Sequence, residues 1–173
     1  MKIVAERKGL EEVRRIKELH ARTIRSTYEE KAKDCITCET KGACCLDAHF
    51  VNVKVSRLEA ILMVEELRGL EAEAFDRIKN RITNSIEIFG LSSESEETYA
   101  CPLFDAELGC AVHKVKPVPC VQHACYEKEE DLPPDVLGQE VESEIDSVVR
   151  AVYGKSIPCS VIPVAMAQIL AEE

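Results

Sequence analysis

Apolar positions along this chain recur with helical spacing, and the periodic stretches are separated by polar segments that carry cysteine. Leu10, Val13, Ile16, His20, Ile24 and Thr27 return close to every 3.6 residues, which predicts a helix over 10–33 with Arg, Lys and Glu on its other side. Residues 34–49 lose the period and read as loop. Phe50-Val51-Asn52-Val53-Lys54-Val55 alternates with a period of two, a short strand at most. Ser56-Arg57-Leu58-Glu59 is a capping box, whose hydroxyl and carboxylate satisfy open backbone donors and start a helix running to about Leu67, before Gly69. Leu70, Phe75, Ile78, Ile82, Ile86 and Phe89 predict a second helix that stops at Gly90. Ser92 to Glu97 is a solvated loop, and 99–126 has no periodic face. Pro133 and Pro134 open a helix to about Tyr153, with Val136, Leu137, Val141, Ile145, Val148, Val149 and Val152 facing inward, expected to lie across the cysteine-bearing loops. A short helix over 163–171 closes the chain.

The fold class that follows is mostly α: a small helical domain with irregular cysteine-rich metal-binding loops and at most a short strand. It is expected as one domain over 1–173, with an N-terminal helix at 10–33, a cysteine-cluster region at 34–126 holding a helical insert at 56–89, and C-terminal helices in 127–173. No internal repeat or low-complexity tract interrupts it.

Charge and composition narrow the function classes. The chain has 173 residues with Lys+Arg 22 against Asp+Glu 32, a formal net charge of −10. That balance argues against nucleic-acid binding, which draws its affinity from clustered Lys and Arg. No apolar run approaches the roughly 20 residues that span a bilayer. The opening Met1-Lys2-Ile3-Val4-Ala5-Glu6-Arg7 becomes charged at once, without a signal-peptide core, so a cytoplasmic location is expected. The 9 cysteines are then out of place as disulfides, because thiols in that compartment are kept reduced, and they point to metal.

These cysteines are grouped. Cys35, Cys38, Cys44 and Cys45 form one cluster, and Cys101, Cys110, Cys120 and Cys125 form another, with none between; Cys159 stands apart and reads as a packing residue. Two thiol clusters brought together around a folded insert are the plan of a metal site that closes a long loop. Thiolates are soft ligands suited to zinc and to iron–sulfur cores. The adjacent Cys44 and Cys45 cannot easily aim both sulfurs at one ion, so they serve two metals or one of them stands behind the other. The eight clustered thiols suffice for two four-thiolate sites, and the spacing leaves their pairing open. His113, His123 and His49 lie close enough in sequence to replace a thiolate.

Cys35-Ile36-Thr37-Cys38, Cys44-Cys45, Cys101-Pro102-Leu103-Phe104, Gly109-Cys110-Ala111-Val112-His113 and Lys116-Pro117-Val118-Pro119-Cys120 together resemble the YkgJ-type cysteine-cluster family, a zinc- or iron-chelating domain named for a C-x-x-C-x-x-C-C pattern. Flagellin lysine N-methylases contain a similar cysteine-rich domain. Here Cys38 and Cys44 are separated by five residues where two are usual, and His113, Lys116 and Val121 occupy positions where that family often has Tyr, Arg and Arg. The resemblance implies a metal centre held by Cys35, Cys38, Cys44, Cys45, Cys101, Cys110, Cys120 and Cys125. An iron–sulfur cluster, [4Fe-4S] in type, is the first expectation, and zinc is the alternative.

No phosphate-cradling glycine loop, G-x-S-x-G or H-E-x-x-H is present, which weighs against an enzyme. Residues 127–146 hold nine acids and one base, a face that suits a basic protein partner, whereas residues 1–33 hold ten bases against six acids. Three functions are consistent with these features. The first is an iron–sulfur protein for electron transfer or for redox or metal sensing with a partner protein. The second is a structural zinc-binding interaction module. The third is an accessory part of a methyltransferase-like enzyme.

Overall fold

The computed structural model describes residues 2–32, 42–46, 51–105, 109–124, 126 and 128–172. Among them are seven α-helices: α1 (Lys2–Thr27), α2 (Ala43–Leu46), α3 (Arg57–Arg68), α4 (Ala72–Phe89), α5 (Val118–Gln122), α6 (Asp135–Tyr153) and α7 (Ile162–Ala171). Four strands of two residues each, β1 (Lys54–Val55), β2 (Phe104–Asp105), β3 (Gly109–Cys110) and β4 (Ser160–Val161), pair as two antiparallel ladders, β1 with β4 and β2 with β3. The protein is mostly helical, as the periodicity predicts. The chain forms two compact units from interleaved segments, 1–41 with 116–156 and 42–115 with 157–173.

In the first unit, α1 begins at Lys2, eight residues earlier than the apolar period indicates. Gly9 and the charged opening turn hide its start, because glycine disfavours a helix interior and Ile3 and Val4 remain exposed. Val13, Ile16, His20 and Ile24 are buried along one face. That stripe packs on α6, whose Ile145 and Val149 are buried, and Tyr153 Oη of α6 donates to Glu6 Oε2 at 2.7 Å. The inward face of α6 is therefore engaged chiefly by α1, with α5 as a second partner, and Val136 is exposed. Covering the long stripe of α1 removes more apolar surface from water than covering a short loop.

His20 is buried, its Nε2 has no hydrogen-bond partner among the described residues, and burial pulls its pKa below the usual 6.5. A base that resists protonation only when folded contributes nothing above the unfolded pKa. As pH falls below 6.5, the unfolded chain gains a proton that the folded chain refuses, so stability declines. Denaturant midpoints measured from pH 7 to 5 should fall more steeply for the parent than for His20→Leu. Parallel pH slopes would place the acid sensitivity elsewhere.

In the second unit the capping box forms as the sequence indicates: Glu59 N–H donates to Ser56 Oγ at 3.3 Å, and Ser56 N–H donates to Glu59 Oε2 at 3.1 Å. The buried face of α3, with Leu58, Leu62, Met63 and Leu67, packs on α7, which also lies against α4. The expected strand over 50–55 shrinks to Lys54–Val55, because β4 offers only two residues as a partner. Val51 instead joins a cluster with Leu91, Tyr99 and Val161, and its carbonyl accepts the Tyr99 N–H at 2.9 Å. Tyr99 Oη donates to the Val53 carbonyl at 3.2 Å, and Cys101 packs against the same cluster. No helix among the described residues is long and apolar enough to cross a membrane.

Candidate metal centre

Four of the clustered cysteines, Cys44, Cys45, Cys101 and Cys110, belong to the second unit. Gly42, at φ +79°, opens α2, and its carbonyl accepts the N–H groups of Cys45 at 2.8 Å and Leu46 at 2.9 Å. This single turn carries the adjacent pair Cys44 and Cys45. The Cys45 carbonyl accepts the Cys101 N–H at 2.7 Å, which stitches the first cysteine cluster to the second across the helical insert. From Cys101 the chain turns through Pro102 and Leu103 into β2, which pairs back on β3 with Phe104 opposite Cys110. Gly109, at φ +72°, makes that return without the cost a side chain would add in the left-handed region.

The sulfur of Cys101 accepts the backbone N–H groups of Leu103 and Phe104. Consecutive amides pointing at one atom form a nest for an anion, a common device around metal-bound sulfur. Burial pushes the Cys101 thiol up to about 11; the two amides and the positive charge of Arg81 oppose that, while Cys110 adds to it. Burial likewise pushes Cys45 up to about 12, followed by the nearby Cys101 and Cys44, with a Cys44 hydrogen bond and Cys110 adding to the rise. Cys45 thus senses Cys44, Cys101 and Cys110, and Cys101 senses Cys110, each making a thiolate there costlier. A cation among them reverses the sign of that interaction, so the donor chemistry fits a thiolate-bound metal. Among the described residues, no three Cys, His, Asp or Glu side chains close to ligating geometry.

The other candidates are a mixed set. Cys120 is half-buried on α5 in the first unit. Cys35, Cys38, Cys125 and His49 lie outside the described residues. His113 and His123 are exposed. Cys159, expected to pack, is exposed as well, because Pro158 and its neighbours run in extended chain ahead of β4.

Sequence reasoning missed a charged group at the base of this site. Asp105 of β2 is buried, and Arg77 Nη2 and Arg81 Nη2 approach its Oδ2 at 3.7 and 3.2 Å. On the helical pattern the two arginines are four residues apart on the polar side of α4, and nothing in the chain marks Asp105 as buried. Their pairing depends on β2 lying against α4.

No protein-family model matches the chain, and neither does any curated protein or solved structure.

Proposed function

We propose that this is a cysteine-cluster metal-binding protein of the YkgJ type that holds an iron–sulfur centre, [4Fe-4S], for electron transfer or for redox or metal sensing with a protein partner. The observation that supports the reading is the Cys101 sulfur, which accepts two backbone amides and lies near enough to Cys45 and Cys110 to interact with them electrostatically. Such a centre, when bound, supplies one-electron chemistry whose potential depends on hydrogen bonds to sulfur and on solvent access. Cys44, Cys45, Cys101 and Cys110 would hold it. Adjacent thiolates on one turn suit a core with several irons better than a single tetrahedral ion, which favours iron–sulfur over zinc.

The exposed acids Glu129, Glu130, Asp135, Glu140, Glu142 and Glu144 give the partner a face of one sign. We read the protein as cytoplasmic and as a carrier or sensor without turnover of its own.

Anaerobic purification followed by absorption spectroscopy and metal analysis tests the reading. Brown protein containing iron and acid-labile sulfide, with broad absorption near about 400 nm, is the expected result. Colourless protein with stoichiometric zinc would make it a zinc-stapled interaction module, and protein without metal at these thiols would overturn the proposal.

A further inference from the structure

The helix pair of the first unit keeps one of its sides open. α1 and α6 run antiparallel: Glu6 meets Tyr153 at 2.7 Å at one end, and Lys31, just past α1, meets Asp131, just before α6, at 3.6 Å at the other. α5 covers one flank of α6, where a Cβ on Gly138 would lie 2.1 Å from Gln122 Oε1. Helical spacing turns Leu137, Val141 and Val148 to the other flank, and all three stay only half-buried. Facing the same way on α1, Leu19 is 51% exposed, and an open depression of about 670 Å³ lies over Leu19, Arg22, Thr23, Arg25 and Ser26. Charge on this side is divided by helix. Arg15 and Arg22 stand exposed on α1, and Glu140 and Glu144 stand exposed on α6. Arg15 is paired with Glu12 of its own helix at 2.6 Å; Glu12 raises its pKa most and Glu144 adds to the rise, which places Glu144 on the same side. Arg22 and Glu140 have no ion-pair partner among the described residues.

We propose that this open side is a homodimer interface, in which α1 and α6 of two copies form a four-helix bundle with Leu19, Leu137, Val141 and Val148 at its centre and Arg22 of each copy paired with Glu140 of the other. The inference rests on the reading of acidic α6 as a docking face, names its occupant and is independent of the metal. Charge selects that occupant. A wholly basic protein would satisfy Glu140 and Glu144 but set like charge against Arg15 and Arg22. A second copy satisfies both signs, because a two-fold axis running along the helices lays α1 of one copy over α6 of the other. Arg22 then meets Glu140 twice, once in each direction. The chain's net charge of −10 opposes self-association in general, so a contact between copies needs such a local match of opposite signs.

Sedimentation equilibrium of the reduced full chain, over on the order of a hundredfold range of concentration, tests this. The parent should reach twice the chain mass. Arg22→Glu and Glu140→Arg should each weaken the dimer on the order of tenfold or more, because the two-fold axis repeats every like-charge contact. A chain carrying both changes should regain most of the parental affinity, since each reversed pair attracts again. Leu19→Asp should stay monomeric. Lys79→Glu, on the exposed side of α4, alters net charge as much as Arg22→Glu does and should leave the dimer unchanged. Arg22, Glu140 and Leu19 are exposed, so these variants should fold, and circular dichroism checks that they do. A parent that remains monomeric throughout would overturn the inference and leave the acidic face to a different, basic protein, with the metal reading untouched. A dimer that neither charge reversal weakens would overturn it as well. So would a double variant no tighter than the single ones, since Arg22 and Glu140 would then not meet across the interface.

Discussion

Gly42→Ala is expected to release metal from a protein whose ligands are all intact. Gly42 holds φ +79°, and a Cβ added there would lie 2.1–2.6 Å from ring carbons of Phe104. The left-handed conformation costs an ordinary residue about 1–2 kcal/mol. Forcing the ring aside adds about 1–3 kcal/mol of overpacking. Both costs fall on the proposed metal site, because Gly42 opens the turn with Cys44 and Cys45 while Phe104 stands opposite Cys110 in the hairpin. The thermal midpoint should drop by roughly 5–10 °C or more. Metal retained against a chelator should fall on the order of tenfold or more, as for loss of an outer support. Gly90→Ala is the control: Gly90 has φ +61° at the end of α4, but nothing lies within 4 Å of its added Cβ. It should lose stability through its backbone alone and keep its metal. Equal metal content and equal midpoints in Gly42→Ala and the parent would show that α2 and the hairpin do not act together.

Cys101→Ser should abolish the centre, and Cys110→Ser should do nearly the same, whereas Cys159→Ser should leave it in place. Serine offers a harder oxygen that ionises far less readily than a thiol, so it replaces neither the charge nor the softness of the ligand. At Cys101 the loss is largest. The Leu103 and Phe104 amides are set for sulfur, and their contribution disappears with it. The expected fall in metal affinity exceeds the roughly 10–100-fold that removal of an outer partner causes. Cys159 is exposed ahead of β4 and far along the chain from both cysteine clusters. Metal analysis of the three variants purified side by side decides the point. Full occupancy in Cys101→Ser, or loss in Cys159→Ser alone, would displace the site from these four thiols.

Much of the helical framework was legible because it depends on near neighbours in the chain. Ser56 and Glu59 cap α3 through bonds made within one turn. Gly90 and Gly154 end α4 and α6 in the left-handed conformation that glycine accepts most readily. The failures are also local in origin. Gly9 concealed the first turns of α1, and Phe50 to Val55 showed the alternation of a strand without having a partner long enough to pair with. The covering of α6 was legible only in part, since an apolar stripe records that something is buried but not what buries it. Its partners are α1 and α5.

The candidate site divides the same way. Sequence by itself determined the mostly helical class, the ends of α3, α4 and α6 and the identity of the thiols, because residue type and spacing of a few positions decide those. Only the tertiary structure decided that Cys44, Cys45, Cys101 and Cys110 meet in one unit, that two amides face the Cys101 sulfur, and that Arg77 and Arg81 converge on a buried Asp105. The physical reason is distance along the chain. The bond from the Cys101 N–H to the Cys45 carbonyl and the reach of α4 onto the hairpin join segments separated by a folded insert, and they exist only once packing has met the entropic cost of closing those loops.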